Sequence, residues 1–139
     1  MKYYLNLGTN LGHKRRNLFR AIAALSAGCG GCMVSRMVES EPWGFHSPHA
    51  FLNVGVAITT AMSPHEVLSW LHDIERRLGS DNHRDEHGHY ADRLIDIDIM
   101  AADDDEGNTV TLSSATLQIP HPLLHDRMFF LQPYRQLKP

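Results

Sequence analysis

With only two cysteines in 139 residues, the chain has no disulfide framework to hold it together, so folding must rest on an apolar core. The two thiols stand as Cys29-Gly30-Gly31-Cys32. They follow a helical stretch rather than open one, so the helix dipole works against a thiolate, and two thiols make only half of a four-ligand zinc site. No apolar run approaches the ~20 residues that a membrane-spanning helix needs, and the opening Met1-Lys2-Tyr3-Tyr4 lacks the pattern of a signal peptide. A cytoplasmic protein with no membrane partner is expected. There is no basic surplus either: 13 Lys and Arg against 16 Asp and Glu leave a net charge of −3, which excludes nonspecific nucleic-acid binding. A polyanionic ligand must then be held by local cations or by metal. Internal repeats and linkers are absent, and the expectation is one domain over residues 1–139, acting as a monomer.

What is present is led by Leu94-Ile95-Asp96-Ile97-Asp98-Ile99-Met100. Strict alternation of branched apolar and acidic residues predicts a strand with Ile95, Ile97 and Ile99 on one face and both carboxylates on the other. Two like charges about 7 Å apart on one surface repel, an arrangement that makes sense when a hard cation sits between them and a phosphate.

Around this strand the patterning predicts a regular alternation of elements. Residues 2–7 read as a strand closed by Gly8, 13–27 as a helix stopping near Gly28, 33–39 as a second strand, and 51–60 as a third with Leu52, Val54, Val56 and Ile58 on one face. Ser63-Pro64-His65-Glu66 combines an N-cap Ser, an N1 Pro and a capping-box Glu, so a second helix starts there and runs to Gly79. Residues 41–49 and 80–91 are polar loops, and the acidic run 103–108 is a hairpin turn leading to a short strand at 110–112. The order βαββαβ points to the α+β class and a ferredoxin-like fold, an antiparallel sheet with two main helices on one face and the active site on the open face. Phe51, Asn53, Asp96 and Asp98 then share that open face.

Three further segments carry chemical groups. Gly8-Thr9-Asn10-Leu11-Gly12-His13-Lys14 joins strand to helix but fits neither phosphate-loop consensus, so on its own it is a tight turn. In Ile119-Pro120-His121-Pro122-Leu123-Leu124-His125-Asp126-Arg127-Met128-Phe129, His121 and Arg127 are phosphate donors and Phe129 can stack on a planar ligand. His83, His87 and His89 suggest zinc, yet they stand in a loop without an obvious fourth ligand, and a pH-sensitive surface is the simpler reading.

Taken together, Leu7-Gly8-Thr9-Asn10-Leu11-Gly12, Phe51-Leu52-Asn53, Asp92-Arg93-Leu94-Ile95-Asp96-Ile97-Asp98-Ile99 and Ile119-Pro120-His121-Pro122 with Arg127-Met128-Phe129 make the whole chain resemble the 6-hydroxymethyl-7,8-dihydropterin pyrophosphokinase family of folate biosynthesis. The resemblance implies a ferredoxin-like enzyme that transfers diphosphate from ATP to the pterin hydroxymethyl group and releases AMP. It implies that Asp96 and Asp98 hold two Mg²⁺, that Phe51 and Phe129 sandwich the pterin with Asn53 at its edge, and that His121, Arg127 and Arg93 grip phosphates. It also implies that Ser40 to Gly44, Trp43 among them, close the pterin pocket. The chain departs from the family at Tyr90, where a Trp is usual, and at Ser80, where an Arg commonly follows the second helix. Arg84 would replace that arginine as a catalytic cation, with Tyr90 taking the place of the Trp beside the substrate. An RNA-recognition module shares this sheet plan, but Asp96 and Asp98 would repel RNA and no RNP1-like run exists.

Overall fold

Strand β1 (Lys2–Thr9) is buried at every position after the first, the mark of a strand covered on both faces and paired along both edges. In the computed structural model, which describes residues 1–42, 48–79 and 94–138, β1 pairs antiparallel with β3 (Phe51–Thr59) on one side and β4 (Asp96–Asp103) on the other. Strand β2 (Gly31–Ser40) adds to the far edge of β3, giving the order β2-β3-β1-β4. Helices α1 (Lys14–Ala27) and α2 (Pro64–Arg77) pack on one face. There Leu18, Leu25, Val67, Leu71 and Ile74 bury against Leu5, Leu7, Val54, Val56, Ile58, Ile95, Ile97 and Ile99. The capping box at α2 is formed as its sequence predicts: Ser63 Oγ accepts from Glu66 N, and Ser63 N donates to the Glu66 carboxylate.

Boundaries differ from the sequence reading where pairing overrides local pattern. β2 extends beyond 33–39 because it pairs with β3 from Gly31↔Thr59 to Ser40↔Phe51. β4 begins at Asp96 and runs past Met100, where alternation breaks, since one extra residue enters opposite Tyr4/Leu5. The bulge puts both Met100 and Ala101 on the face opposite the isoleucines and returns Ala102 to the helix side. Instead of a strand at 110–112, a two-residue pair joins β5 (Leu112–Ser113) to β6 (Gln118–Ile119). At the acidic turn Asp104 accepts from the backbone N–H groups of Glu106 and Asn108, and the N-terminal amine meets Asp105 at 2.8 Å.

A third helix, α3 (Met128–Leu137), is absent from the sequence reading because Pro133 lies inside it. It packs on the other face of the sheet, where Phe130 and Leu137 bury with Tyr4, Ala57, Met100 and Ala101. The approach is close: a Cβ on Gly55 would lie 2.6 Å from Pro133 Cβ and 3.0 Å from Leu137 Cδ1. Gly55 also donates to Ser35 Oγ at the bulge of β2, and Arg36 N donates to Gln136 of α3. Gly55→Ala should therefore destabilise the fold by about 1–3 kcal/mol through overpacking at the helix contact, measured as a lower denaturant midpoint with an unchanged slope.

Candidate active site

The face that α3 covers at one end is open at the other, and there the side chains converge. A cleft of about 630 Å³ is bordered by β1, β3, β4, the end of β2 and the segment leading into α3. Its floor comes from register: Gly8 of β1 lies opposite Asn53 on one side and Asp96 on the other, and Asn6 lies opposite Asp98. A Cβ at Gly8 would come within 3.0 Å of Asn53 Oδ1, so glycine leaves the floor clear. The amide of Asn53 donates to Val38 O at 3.2 Å and to Ser40 Oγ at 2.8 Å. With its N–H groups engaged, the buried Asn53 turns an acceptor oxygen toward the floor.

Phe51 begins β3 and Phe129 stands in the first turn of α3, both half-buried at the cleft. The turn after β1 is a brace and not a phosphate loop. Asn10 donates to His49 O and Lys14 to Ala50 O, while Asn17 ties Thr9 and Leu11 together. These bonds fix the approach to Phe51.

Asp96 and Asp98 are half-exposed on the cleft side of β4, as alternation predicts. Between them the N–H of Ile97 donates at 2.8 Å to the carboxylate of Glu75, a buried α2 residue that the sequence reading did not single out. Among the described residues β4 is an edge strand with no further strand beside it, and Glu75 supplies the acceptor for this N–H. Opposite the acids stand His121 and Arg127. His121 lies one residue past the cis Ile119–Pro120 bond, is edge-on to Phe130, and accepts at Nδ1 from Leu123 N. The neutral ring thus carries its proton on Nε2. The Arg127 guanidinium lies 5.5 Å from the Phe129 ring and 4.9 Å from that of Phe130.

Of the residues expected at the site, Ser40, Phe51, Asn53, Asp96, Asp98, His121, Arg127 and Phe129 all border this one cleft. Trp43, Arg84, Tyr90 and Arg93 lie outside the described residues, as do His83, His87 and His89. Asn6, Glu75, His72 and Thr116 also line the cleft without having been anticipated. For Glu75 the missed signal is a polar residue at a buried position of the α2 stripe, between Leu71 and Leu78. Asn6 lies on the β1 face of Lys2, Tyr4 and Gly8, where a polar residue breaks no apolar pattern.

The family model for 7,8-dihydro-6-hydroxymethylpterin-pyrophosphokinase matches residues 4–139. The chain belongs to this family. A 2-amino-4-hydroxy-6-hydroxymethyldihydropteridine pyrophosphokinase of Porphyromonas gingivalis is 38% identical over 98% of this chain and 90% of its own length. Proteins of the same name from Aquifex aeolicus and Bacillus subtilis are 32% and 31% identical, over 98% and 96% of this chain and 79% and 76% of their own lengths. Among the described residues no helix is long and apolar enough to cross a membrane.

Burial, then the Arg127 charge, push the His121 pKa below its ordinary 6.5, and Asp96 opposes this. An unfolded chain therefore binds a proton at His121 before the folded protein does. Stability from this residue is intact above about pH 6.5 and is lost as pH falls through the window down to the folded value. His121→Asn should shrink the loss of stability between about pH 7.5 and about pH 5.5. Denaturant midpoints of both proteins at the two pH values check this, and equal losses would disprove it.

Proposed function

We propose that this pyrophosphokinase transfers the β,γ-diphosphate of ATP to the hydroxymethyl oxygen of 6-hydroxymethyl-7,8-dihydropterin, a step of folate biosynthesis, and releases AMP. The observation that supports the reading is one cleft lined by Phe51, Asn53 and Phe129 together with a carboxylate pair, His121 and Arg127. In the reaction the substrate hydroxyl oxygen bonds to Pβ as the bond from Pβ to the α,β-bridging oxygen breaks. AMP leaves with that oxygen, and the hydroxyl proton passes to water. No covalent nucleophile is needed, because this chemistry depends on positioning and charge neutralisation.

The donor set fits Mg²⁺. Asp96 and Asp98 offer hard oxygens on one face, and among the described residues no cluster of three or more metal-ligating side chains exists. Mg²⁺ is commonly held by one or two carboxylates with substrate phosphates completing the shell, and the pair suits two ions bound together with ATP. When bound, the metal neutralises phosphate charge and draws the two substrates together. The chain's own groups do the rest. Phe51 and Phe129 clamp the acceptor ring, and the Asn53 oxygen accepts from its N–H edge. His121 Nε2–H and the Arg127 guanidinium donate to phosphate oxygens, while Arg93 and Arg84 supply further positive charge. Ser40 fixes the Asn53 amide, and Trp43 and Tyr90 close the site around the substrates.

Mixed with ATP, Mg²⁺ and the reduced pterin, the protein should form AMP in proportion to pterin consumed. Formation of ADP, or turnover independent of pterin, would refute the assignment. Asp96→Asn and Asp98→Asn should each lower turnover by about a thousandfold or more while the thermal midpoint stays near wild type, since one of two repelling charges is removed. Near-normal turnover of either variant at ordinary Mg²⁺ would exclude the carboxylate clamp.

A further inference from the structure

Asn6 stands at the seam of the sheet face, with Asp98 opposite it on β4, Gly55 opposite it on β3, and Tyr4 and Gly8 two residues away on the same side of β1. Tyr4 lies beneath α3 and Gly8 lies in the open cleft. Asn6 is 2% exposed, and its amide donates at 2.7 Å to the backbone carbonyl of Phe129. That carbonyl has a particular need. In an α-helix it would accept from the N–H four residues on, and the residue four on is Pro133, which has none. The Pro133 ring is also the group that seats against Gly55. The residue that brings the helix down onto the sheet thus orphans one carbonyl in the first turn, and a sheet side chain answers it.

We propose that Asn6 is a positioning residue for the acceptor-ring site, supplying the donor that Pro133 withholds and so fixing the first turn of α3 with its Phe129 ring. This rests on the reading of the cleft as the pterin site. Without the Asn6 amide, a part-buried carbonyl loses its partner, and the turn can satisfy it by moving toward solvent or opening. Such a movement displaces Phe129 directly. The phosphate donor His121 is held separately, by Leu123 N and by a backbone bond from His121 N to Met100 O.

The test is a double-mutant cycle between Asn6→Ala and Pro133→Ala, because Pro133→Ala gives the helix back its own N–H for the Phe129 carbonyl. Calorimetry with 6-hydroxymethylpterin in the presence of a nonhydrolysable ATP analogue and Mg²⁺ reads the ring site, and the analogue alone reads the nucleotide site. Asn6→Ala should weaken pterin binding about tenfold with analogue binding unchanged within about twofold. In the double variant pterin affinity should return to within about threefold of wild type. Unchanged pterin affinity in Asn6→Ala, even with a lowered thermal midpoint, would show a purely structural bond and overturn the proposal. So would a loss that Pro133→Ala does not restore, which would mean that Asn6 acts by touching the substrate. Hydrogen exchange in the unliganded protein separates this from the functional reading. The amides of Phe130, Leu131 and Gln132 should exchange faster in Asn6→Ala and recover in the double variant whatever ligand the cleft takes, and equal rates would refute the bridge. Wild-type protein that binds no pterin would instead refute the reading of the cleft.

Discussion

The contact between Pro133 and Gly55 is the constraint on which the site depends, because it divides one face of the sheet between a helix and a cleft. At 2.6 Å from the Pro133 Cβ, a side chain at Gly55 has no room, so α3 sits close enough to bury Phe130 and Leu137 on Tyr4, Ala57, Met100 and Ala101. Its far end is held by Lys138, which donates at 2.9 Å to Asp103, and Asp103 also accepts from the Tyr4 hydroxyl at 2.8 Å. Burial first and this hydrogen bond second keep the Tyr4 hydroxyl protonated and donating, its pKa raised far above the ordinary range. The partly exposed ion pair contributes at most about 1 kcal/mol, whereas burying Phe130 alone contributes about 1.5–3 kcal/mol. Packing holds the helix down and the polar contacts set where along the sheet it stops. That stop places Phe129 and Arg127 at the mouth of the cleft.

The open half of the face is organised by charge. Two carboxylates about 7 Å apart at an effective dielectric constant of about 20 repel by about 2 kcal/mol. Their backbone cannot relax away from this, because β4 pairs with β1 on one edge and the Ile97 N–H is held by Glu75 on the other. On the function proposed above, this rigid frame would hold the two carboxylates ready for a cation shared with phosphate. Also lining the cleft, the neutral His121 offers a donor without a full positive charge, so the full charge there, among the described residues, is that of Arg127.

Much of this is legible in the amino-acid order, and the parts that are not share a cause. Alternation at 95–99 shows which face carries the acids, and the capping box at Ser63 marks the start of α2, because both signals are local. α3 escapes a local reading because Pro133 argues against a helix, and only the sheet groove at Gly55 explains why the proline is tolerated there. The extension of β4 past Met100 is hidden for a similar reason: a bulge breaks the two-residue period that identifies a strand. Glu75 looks like a polar interruption of an apolar stripe, and Asn6 like an ordinary polar residue on the strand face of Lys2 and Gly8, until the fold shows an edge-strand N–H beside one and a helix carbonyl beside the other. Each of these features answers a backbone group supplied by a distant segment.

The same accounting explains how one cleft can sort two heterocycles. Asn53 spends its N–H groups on Val38 and Ser40, so toward the ring site it is an acceptor and nothing else. A ring edge presenting N–H groups satisfies that oxygen. An edge presenting a ring nitrogen lone pair sets two acceptors against each other. Sites built on a buried polar group of this kind reject the mismatched partner far more strongly than apolar pockets do. A dihydropterin presents N3–H and its 2-amino group as adjacent donors, whereas the adenine amino group is flanked by the N1 and N7 lone pairs. On the function proposed above, the two hydrogen bonds that orient the Asn53 amide, to Val38 O and to Ser40 Oγ, would select the acceptor ring and leave the nucleotide to the carboxylates and cations.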